Sequence, residues 1–517
     1  MGLAVRDYLI EEYTTSVCPE CVAEGRRDSQ DPQTFKDAML VSRDGAVWMR
    51  RFCSSHGWVE SLYEEDADLW RARAGWSTPT KEVVPDRAGN DGAFPHGYRD
   101  GLPSSHGQHT CILLVNVTEH CNYRCPTCYA TALEPGSKLD QPERPTLDEL
   151  MRTVDTMIER EGGSLGVLML SGGEPTVRRD IEQIIEEGAN RPITRVMLNT
   201  NGRRIARDDK FLELLGSLND RVEVYLQFDG LSRETSVALR GEDTVEEKRR
   251  ALDRLASAGV MTTLVTTVAK GVNEHELGAI ARYGLDHPAC TGWAIQPVFG
   301  SGRNPGLDPR ARVTPTGVVK RLAEQTKGLV PTSAFIPLPC SHRDCCDIGY
   351  LVRDKRDDWK PLTELVGRDE LKRWIHFAAN TISFETASGA IKEMVKDGVL
   401  QRIFSEQQKT SSLALARDVF RLCGCIPGLT DAIGAIAAKR ESKDAALKSL
   451  VQRTFRITVK MFMDAHTFHE ARIRQCCVHV GTFEDDPRRY SFCWRWLFDD
   501  ASDFPAKAGL EPLRMAQ

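Results

Sequence analysis

Six short apolar runs between residues 111 and 298 dominate the pattern of the chain. They are CILLVNV at 111–117, GVLML at 166–170, RVMLN at 195–199, VEVYLQF at 222–228, MTTLVTTV at 261–268 and GWAIQPV at 292–298. Each has strand length and is near-continuously apolar, the pattern of strands buried on both faces. Helix-length stretches separate them, at 146–160, 178–189, 207–217, 244–258 and 274–284. Thr146 stands three residues before Glu149, the spacing of a capping box. Alternating strands and helices predict a parallel sheet with both faces covered, and six such units predict an α/β fold of the partial (β/α)6 barrel type.

The flanking regions read differently. Residues 1–71 carry Cys18, Cys21 and Cys53 and are expected to form a small metal-binding module. Residues 72–110, rich in Gly, Pro, Ser and His, read as a linker or extended wrap. The barrel takes 111–305. Residues 306–517 lose the strand–helix alternation, with helical stretches near 387–402, 411–423 and 430–450 and a Cys-, His- and aromatic-rich tail to 497. This region is expected to be a mainly helical, Cys-rich domain.

Charge and hydropathy narrow the partners. Lys plus Arg number 68 and Asp plus Glu 74, a formal charge of −6, which gives no electrostatic case for nucleic-acid binding. The start, MGLAVRDYLIEEYTT, has no apolar core of a signal peptide. No apolar run approaches the ~18–20 residues of a spanning helix. The expectation is a cytoplasmic protein that meets lipid only peripherally, at the inner membrane face, or by drawing it inside.

Sixteen cysteines without an export signal argue against a disulfide framework, and their grouping argues for metal. Cys121, Cys125 and Cys128 lie in a C-x3-C-x2-C loop directly after the first strand. The other strands also end in unusual segments: SGGEP (171–175), NTNG (199–202), QFDG (227–230), TTVAKG (266–271) and QP (296–297). In a parallel barrel the C-terminal strand ends face one mouth, where the chemistry collects. Three thiolates hold three irons of a [4Fe–4S] cluster and leave the fourth open to a ligand. A molecule bearing an amine and a carboxylate chelates such a position. Backbone at Gly172 and Gly173, and Glu174 accepting from an ammonium, suit the methionyl end of S-adenosylmethionine (SAM). Asn199, Thr200, Gln227 and Asp229 suit ribose hydroxyls.

With the three-Cys loop, the aromatic Tyr129 after its last Cys, and GGEP at the end of the next strand, residues 111–300 resemble a radical SAM enzyme. The resemblance implies Cys121, Cys125 and Cys128 as cluster ligands, Gly172–Glu174 on the methionine amine, and Tyr129 backbone against the adenine. It implies reductive SAM cleavage to a 5′-deoxyadenosyl radical that abstracts hydrogen from an unactivated C–H bond, fed by a reductant such as ferredoxin or flavodoxin.

The remaining cysteines extend the picture. VCPEC (17–21) and RRFCSSHG (50–57) supply three thiols, completed by His56 nearby or by Cys111 from the start of the first strand. Cys340, Cys345, Cys346, Cys423, Cys425, Cys476, Cys477 and Cys493 match two four-thiolate clusters. Adjacent pairs such as Cys345–Cys346 and Cys476–Cys477 rarely serve one metal, so they are shared between clusters or include a spectator. His342, His469 and His479 are reserve ligands. Taken whole, from CPEC and HTC (109–111) through GGEPTVRRD (172–180) and GVNEHELG (271–278) to the 462–493 tail, the chain resembles the radical SAM tetraether lipid synthases. That likeness implies a rubredoxin-like mononuclear iron (zinc being the alternative at that site), the SAM cluster, two auxiliary [4Fe–4S] clusters, and coupling of two lipid chains at terminal sp3 carbons. The stretch 92–107 has no Cys where the archaeal type is expected to carry extra thiols, which leaves the substrate open. Peptide maturation, methyl transfer to a heterocycle, or a non-catalytic iron–sulfur electron carrier are the alternatives.

Overall fold

The six apolar runs form six consecutive parallel strands. The computed structural model describes residues 7–29, 31–76, 82–130, 132–137, 145–303, 308–354, 356–369, 371–372 and 453–498. An N-terminal antiparallel sheet is built from β1 (Leu9–Val17), β2 (Phe35–Arg43), β3 (Ala46–Cys53) and β4 (Gly57–Glu64). The barrel strands are β5 (Ile112–Thr118), β6 (Leu165–Gly172), β7 (Ile193–Thr200), β8 (Val222–Gln227), β9 (Met261–Val268) and β10 (Cys290–Pro297). They pair in chain order and in parallel.

Helices cross between them: α1 (Leu147–Arg160), α2 (Ile181–Ala189), α3 (Asp209–Ser217), α4 (Arg233–Arg240), α5 (Val245–Ser257) and α6 (Leu277–Asp286). The capping box at α1 forms: Glu149 N–H donates to Thr146 Oγ1 at 3.3 Å, and Thr146 N–H donates to Glu149 Oε2 at 2.8 Å. The pleat of the strands sorts the core into two layers. Leu113, Leu168, Leu170, Leu198, Val224 and Leu264 pack outward on the helices. Ile112, Leu114, Val167, Met169, Met197, Tyr225, Val265 and Ala294 face inward, where they meet Cys340, Cys346 and Cys477.

The region after the barrel supplies β11 (Phe335–Pro337), β12 (Cys346–Arg353), β13 (Trp359–Pro361), β14 (Thr454–Lys460), β15 (Val478–Gly481) and β16 (Arg489–Ser491). Two of these strands extend the barrel itself. β14 lies parallel beside β10 and β15 lies parallel beside β5. The run β14-β10-β9-β8-β7-β6-β5-β15 is therefore parallel throughout, flanked by antiparallel β12 and β16. The described part of the C-terminal region thus completes the sheet at both edges and sends its cysteines into the barrel. The helical stretches expected at 387–402, 411–423 and 430–450 lie outside the described residues, as do Cys423 and Cys425. No helix among the described residues is long and apolar enough to cross a membrane.

The N-terminal sheet is tied to this frame through polar contacts. Leu62 N–H donates to Pro309 O at 2.8 Å, and the buried Arg51 donates to His466 O at 3.1 Å. Glu64 accepts from both the backbone and the hydroxyl of Thr316.

Candidate active site

The loop after β5 carries Cys121, Cys125 and Cys128, each half-buried. Cys121 N–H donates to Leu133 O at 3.0 Å, and Arg303 N–H donates to Cys128 O at 2.9 Å. The three sulfurs are not drawn within 4.8 Å of one another, as ligands of a single ion are. Burial, with the negative charge of Glu174 behind it, pushes the Cys121 thiol up to about 12. Deprotonation there requires a metal to replace the proton. The donor set, three thiols on a half-buried loop, fits a cluster with one iron left free of protein.

The SGGEP turn is knitted to the same loop. Gly173 N–H donates to Thr118 O at 2.8 Å and Glu174 N–H to His120 O at 2.7 Å. Gly172 has φ +122°, and a Cβ there would sit 2.2 Å from Thr118 O. A Cβ on Gly173 would sit 2.1 Å from His120 O. The glycines are therefore required for the approach of the two loops.

Glu174 is held by hydrogen bonds from two strand ends. Its Oε1 accepts from Thr176 N–H (3.1 Å), Thr176 Oγ1 (2.5 Å) and Thr200 Oγ1 (2.6 Å), and its Oε2 accepts from Asn201 N–H (2.7 Å). Three of the four donors converge on Oε1, and Oε2, with a single donor, keeps an acceptor position open. The side chain clamps the end of β6 to the end of β7.

The other expected contacts form one hydrogen-bonded line across the mouth. Asn199 Nδ2 donates to Ser171 Oγ at 3.1 Å, and Gln227 Nε2 donates to Asn199 Oδ1 at 2.9 Å. Arg240, from α4, donates to Gln227 Oε1 (3.0 Å) and to both oxygens of Asp229 (2.6 Å each). Asn199 and Gln227 are half-buried and reachable, whereas Thr200 and Asp229 are buried beneath them. Arg240 and Lys248 are the residues that sequence reasoning missed. Arg240 also lies against Cys125; burial opposes its charge, but Asp229, with Cys125 adding to it, outweighs burial and raises the guanidinium further. Lys248 is buried, donates to Asn201 O, and is pushed down to about 8 by burial, with Arg240 adding to the effect. The helix that presents Arg240 was hidden in a stretch with no expected element.

The N-terminal thiols settle on the nearer partner. Cys18, Cys21 and Cys53 stand 3.5, 3.6 and 3.6 Å from His56 Nδ1, and Cys21 and Cys53 are 3.6 Å apart. Those are close to the edge lengths of a tetrahedral zinc site, ~3.5–3.8 Å for metal–ligand bonds of ~2.1–2.3 Å. His56 Nε2 lies 3.2 Å from Glu24 Oε1, an outer partner of the kind that orients a metal-bound imidazole. Burial raises the Cys53 thiol, but the Ser55 and His56 amides and the His56 ring outweigh it and bring it to about 6.

Cys111 is not part of that site. Its backbone N–H bonds Cys477 O at 2.9 Å, which locks the start of β5 beside β15. Its sulfur groups with those of Cys340 and Cys477, all buried. His109 Nε2 lies 3.4 Å from Cys111 Sγ. A second set lies around Arg472: its Nε is 3.4 Å from Cys345 Sγ, and its charge also acts on Cys493. Cys476 is the strongest thiol neighbour of Cys493. Cys477 thus groups with Cys111 and Cys340, while Cys345, whose strongest thiol neighbour is Cys477, stands beside Arg472. The thiols around the barrel have cations beside them: half-buried Arg240 by Cys125, buried Arg472 by Cys345, and half-buried Lys460 by Cys346 and Cys477. Positive charge placed this way offsets the negative charge of thiolate-bound clusters.

Comparison with known proteins bears on these sites. Residues 115–284 match the radical SAM superfamily, and residues 10–65 match the HMPTM N-terminal zinc ribbon domain. The ribbon match spans Cys18, Cys21, Cys53 and His56 and stops short of Cys111. The 7,8-dihydro-6-hydroxymethylpterin dimethyltransferase of Methanocaldococcus jannaschii is 27% identical over 512 residues, covering 94% of this chain and 93% of that one. This relative is a pterin methyltransferase, where the sequence resemblance pointed to tetraether lipid synthases. Among solved structures, Streptococcus suis SuiB bound to precursor peptide SuiA aligns at TM-score 0.35 and 14% identity, over 43% of this chain and 46% of that one. HydG, a maturase of the [FeFe]-hydrogenase, aligns at TM-score 0.31 and 13% identity, over 50% and 61%. The chain spans less than two thirds of the length of either structure. A radical SAM domain works with a [4Fe–4S] cluster and SAM. The chain thus carries an α/β radical SAM domain, matched over residues 115–284, behind an N-terminal zinc ribbon matched over residues 10–65.

Proposed function

We propose that this enzyme methylates a flat, fused heterocycle of the pterin class. The observation that carries the reading is an aromatic group beside the cluster loop. Tyr129, next to Cys128, has its ring 5.3 Å from Trp496 and 5.9 Å from Phe299. Phe492 stands 5.8 Å from Tyr129 and 4.3 Å from Phe462. The indole N–H of Trp496 has no hydrogen-bond partner among the described residues. Stacking faces with one free donor suit a planar ring bearing nitrogen and oxygen acceptors. The pterin dimethyltransferase relative, similar from end to end, supports the same substrate class.

When bound at Cys121, Cys125 and Cys128, the cluster supplies the electron that cleaves SAM. The chain's own residues hold and orient. Half-buried Asn199 and Gln227 meet the ribose side, and Glu174 keeps the two loops in register. Arg240 fixes Asp229 and Gln227 and places positive charge by Cys125. The sets Cys111–Cys340–Cys477 and Cys345–Cys476–Cys493 hold the auxiliary clusters, with Cys346 or His109 completing the first.

The test is anaerobic incubation of the reconstituted enzyme with SAM, a reductant and 7,8-dihydro-6-hydroxymethylpterin, read by mass spectrometry. A pterin heavier by one or two CH2 units is expected. Unchanged pterin, with host lipids instead losing two hydrogens in a parallel incubation, would replace this reading with alkyl-chain coupling.

A further inference from the structure

Glu12, His342 and His469 form a third group of ligand-type side chains, outside every thiol set, with their ligand atoms within 4.8 Å of one another. They come from three distant segments: β1 of the ribbon, the loop between Cys340 and Cys345, and the residue that begins the helix carrying Arg472. Both histidines are buried and Glu12 is half-buried.

The hydrogen bonds around them leave a specific vacancy of partners. His469 Nδ1 lies 3.2 Å from Thr14 Oγ1, and that hydroxyl itself donates to Thr15 O. Nδ1 is therefore the protonated nitrogen, as this network assigns it, and Nε2 carries the lone pair. His469 Nε2 faces Glu12 Oε1 at 3.3 Å, an ion-pair distance at which the ring lowers the Glu12 carboxyl, but it makes no in-line hydrogen bond among the described residues. A lone pair held against a carboxylate oxygen in a buried place is repulsive unless a proton or a metal cation lies between them, and a third ligand-type side chain beside the pair favours the metal. The other Glu12 oxygen is fixed by Arg343 at 2.8 Å. β1 shifts register between Ile10 and Glu12, a bulge that re-aims the side chain. His342 Nδ1 accepts a long 3.3 Å bond from the Asp344 amide, a bond the ring gives up when that nitrogen binds a metal. Asp344 Oδ1, also buried, has no hydrogen-bond partner among the described residues.

We propose that Glu12, His342 and His469 bind a divalent transition-metal cation, of the Zn2+ or Fe2+ kind that two imidazoles and one carboxylate select. The ion joins the ribbon to the loop between Cys340 and Cys345, so it pins the small N-terminal sheet onto the thiol-bearing part of the core. The site is separate from the Cys18–Cys21–Cys53–His56 ribbon site.

The test uses full-length, anaerobically reconstituted enzyme with Zn2+ as the probe, dialysed and analysed for zinc and iron, with zinc X-ray absorption to count sulfur and nitrogen/oxygen neighbours. Wild type should hold two zinc ions per chain, with a mixed signal of sulfur-rich and sulfur-free sites. His469→Ala and the shape-preserving Glu12→Gln should each hold one, with a purely sulfur-rich signal and unchanged iron. One zinc per wild-type chain, or two in wild type and in Glu12→Gln alike, would overturn the proposal. The wild-type count decides even if His469→Ala does not fold.

Discussion

Glu174→Gln tests what the SGGEP glutamate does, because it changes one atom and keeps the shape. Each carboxylate oxygen of Glu174 receives a backbone N–H: Oε1 from Thr176 and Oε2 from Asn201. An amide turns its NH2 toward one of them in either orientation. One buried backbone donor then faces another donor. Leaving such a group unmet costs about 1–3 kcal/mol, and the remaining bonds lose their charge assistance, so the total is about 2–4 kcal/mol. The threonine hydroxyls rotate and recover part of the loss only on their own side. Denaturant unfolding of the reconstituted enzyme should show this destabilisation. SAM affinity should fall with it by roughly 10-fold or more, since 1.4 kcal/mol is a factor of ten. Weaker SAM binding at unchanged stability would refute the clamp and put Glu174 on the ligand directly.

Further outcomes follow from other buried charges. Arg240→Ala leaves the Asp229 carboxylate buried without its counter-charge and should cost about 3–5 kcal/mol. Adding Asp229→Asn should recover at least about 1 kcal/mol of that, and strict additivity in the double variant contradicts the pairing. Arg312 and Asp464 are both wholly buried and 2.8 Å apart, with Asp464 also taking Gly300 N–H beside the turn that meets Cys128. Asp464→Asn should destabilise by a similar amount, and an unchanged melting temperature would count against it. Burial opposes the charge on Asp464, but Arg312 outweighs it and holds the carboxyl well below the usual carboxylate range. The folded carboxylate therefore binds its proton less readily than the unfolded one. The stabilisation from the pair is present above about pH 4 and is lost as pH falls further, a loss that Asp464→Asn should not show.

The barrel was legible because parallel strands buried on both faces are apolar throughout, and MTTLVTTV forms the strand Met261–Val268 as expected. The segments at the strand ends were legible for the same reason, since the topology sends them all to one mouth. What escaped was set by contacts far apart in sequence. Nothing local to 454–460 or 478–481 announces a strand that pairs with β10 or β5. Cys111 could not be assigned before that pairing was known, because its partners Cys340 and Cys477 arrive with the added strands. His56, three residues from Cys53, was the fourth ribbon ligand that local spacing offered beside the three thiols, with Cys111 the remote alternative. Arg240 ends a helix of mixed polarity, RETSVALR, whose last residue turns into the site. The two-histidine group at Glu12 joins three segments with no common motif.

The central claim is that the iron not held by Cys121, Cys125 or Cys128 binds SAM through its amine and carboxylate. Electron–nuclear double resonance on the reduced, reconstituted enzyme measures this directly, using SAM isotopically labelled in its amino nitrogen and carboxylate oxygens. Hyperfine coupling from both labels to the cluster is expected, and its absence in Cys125→Ala. A reduced cluster in wild-type enzyme that shows neither coupling with SAM present would contradict it.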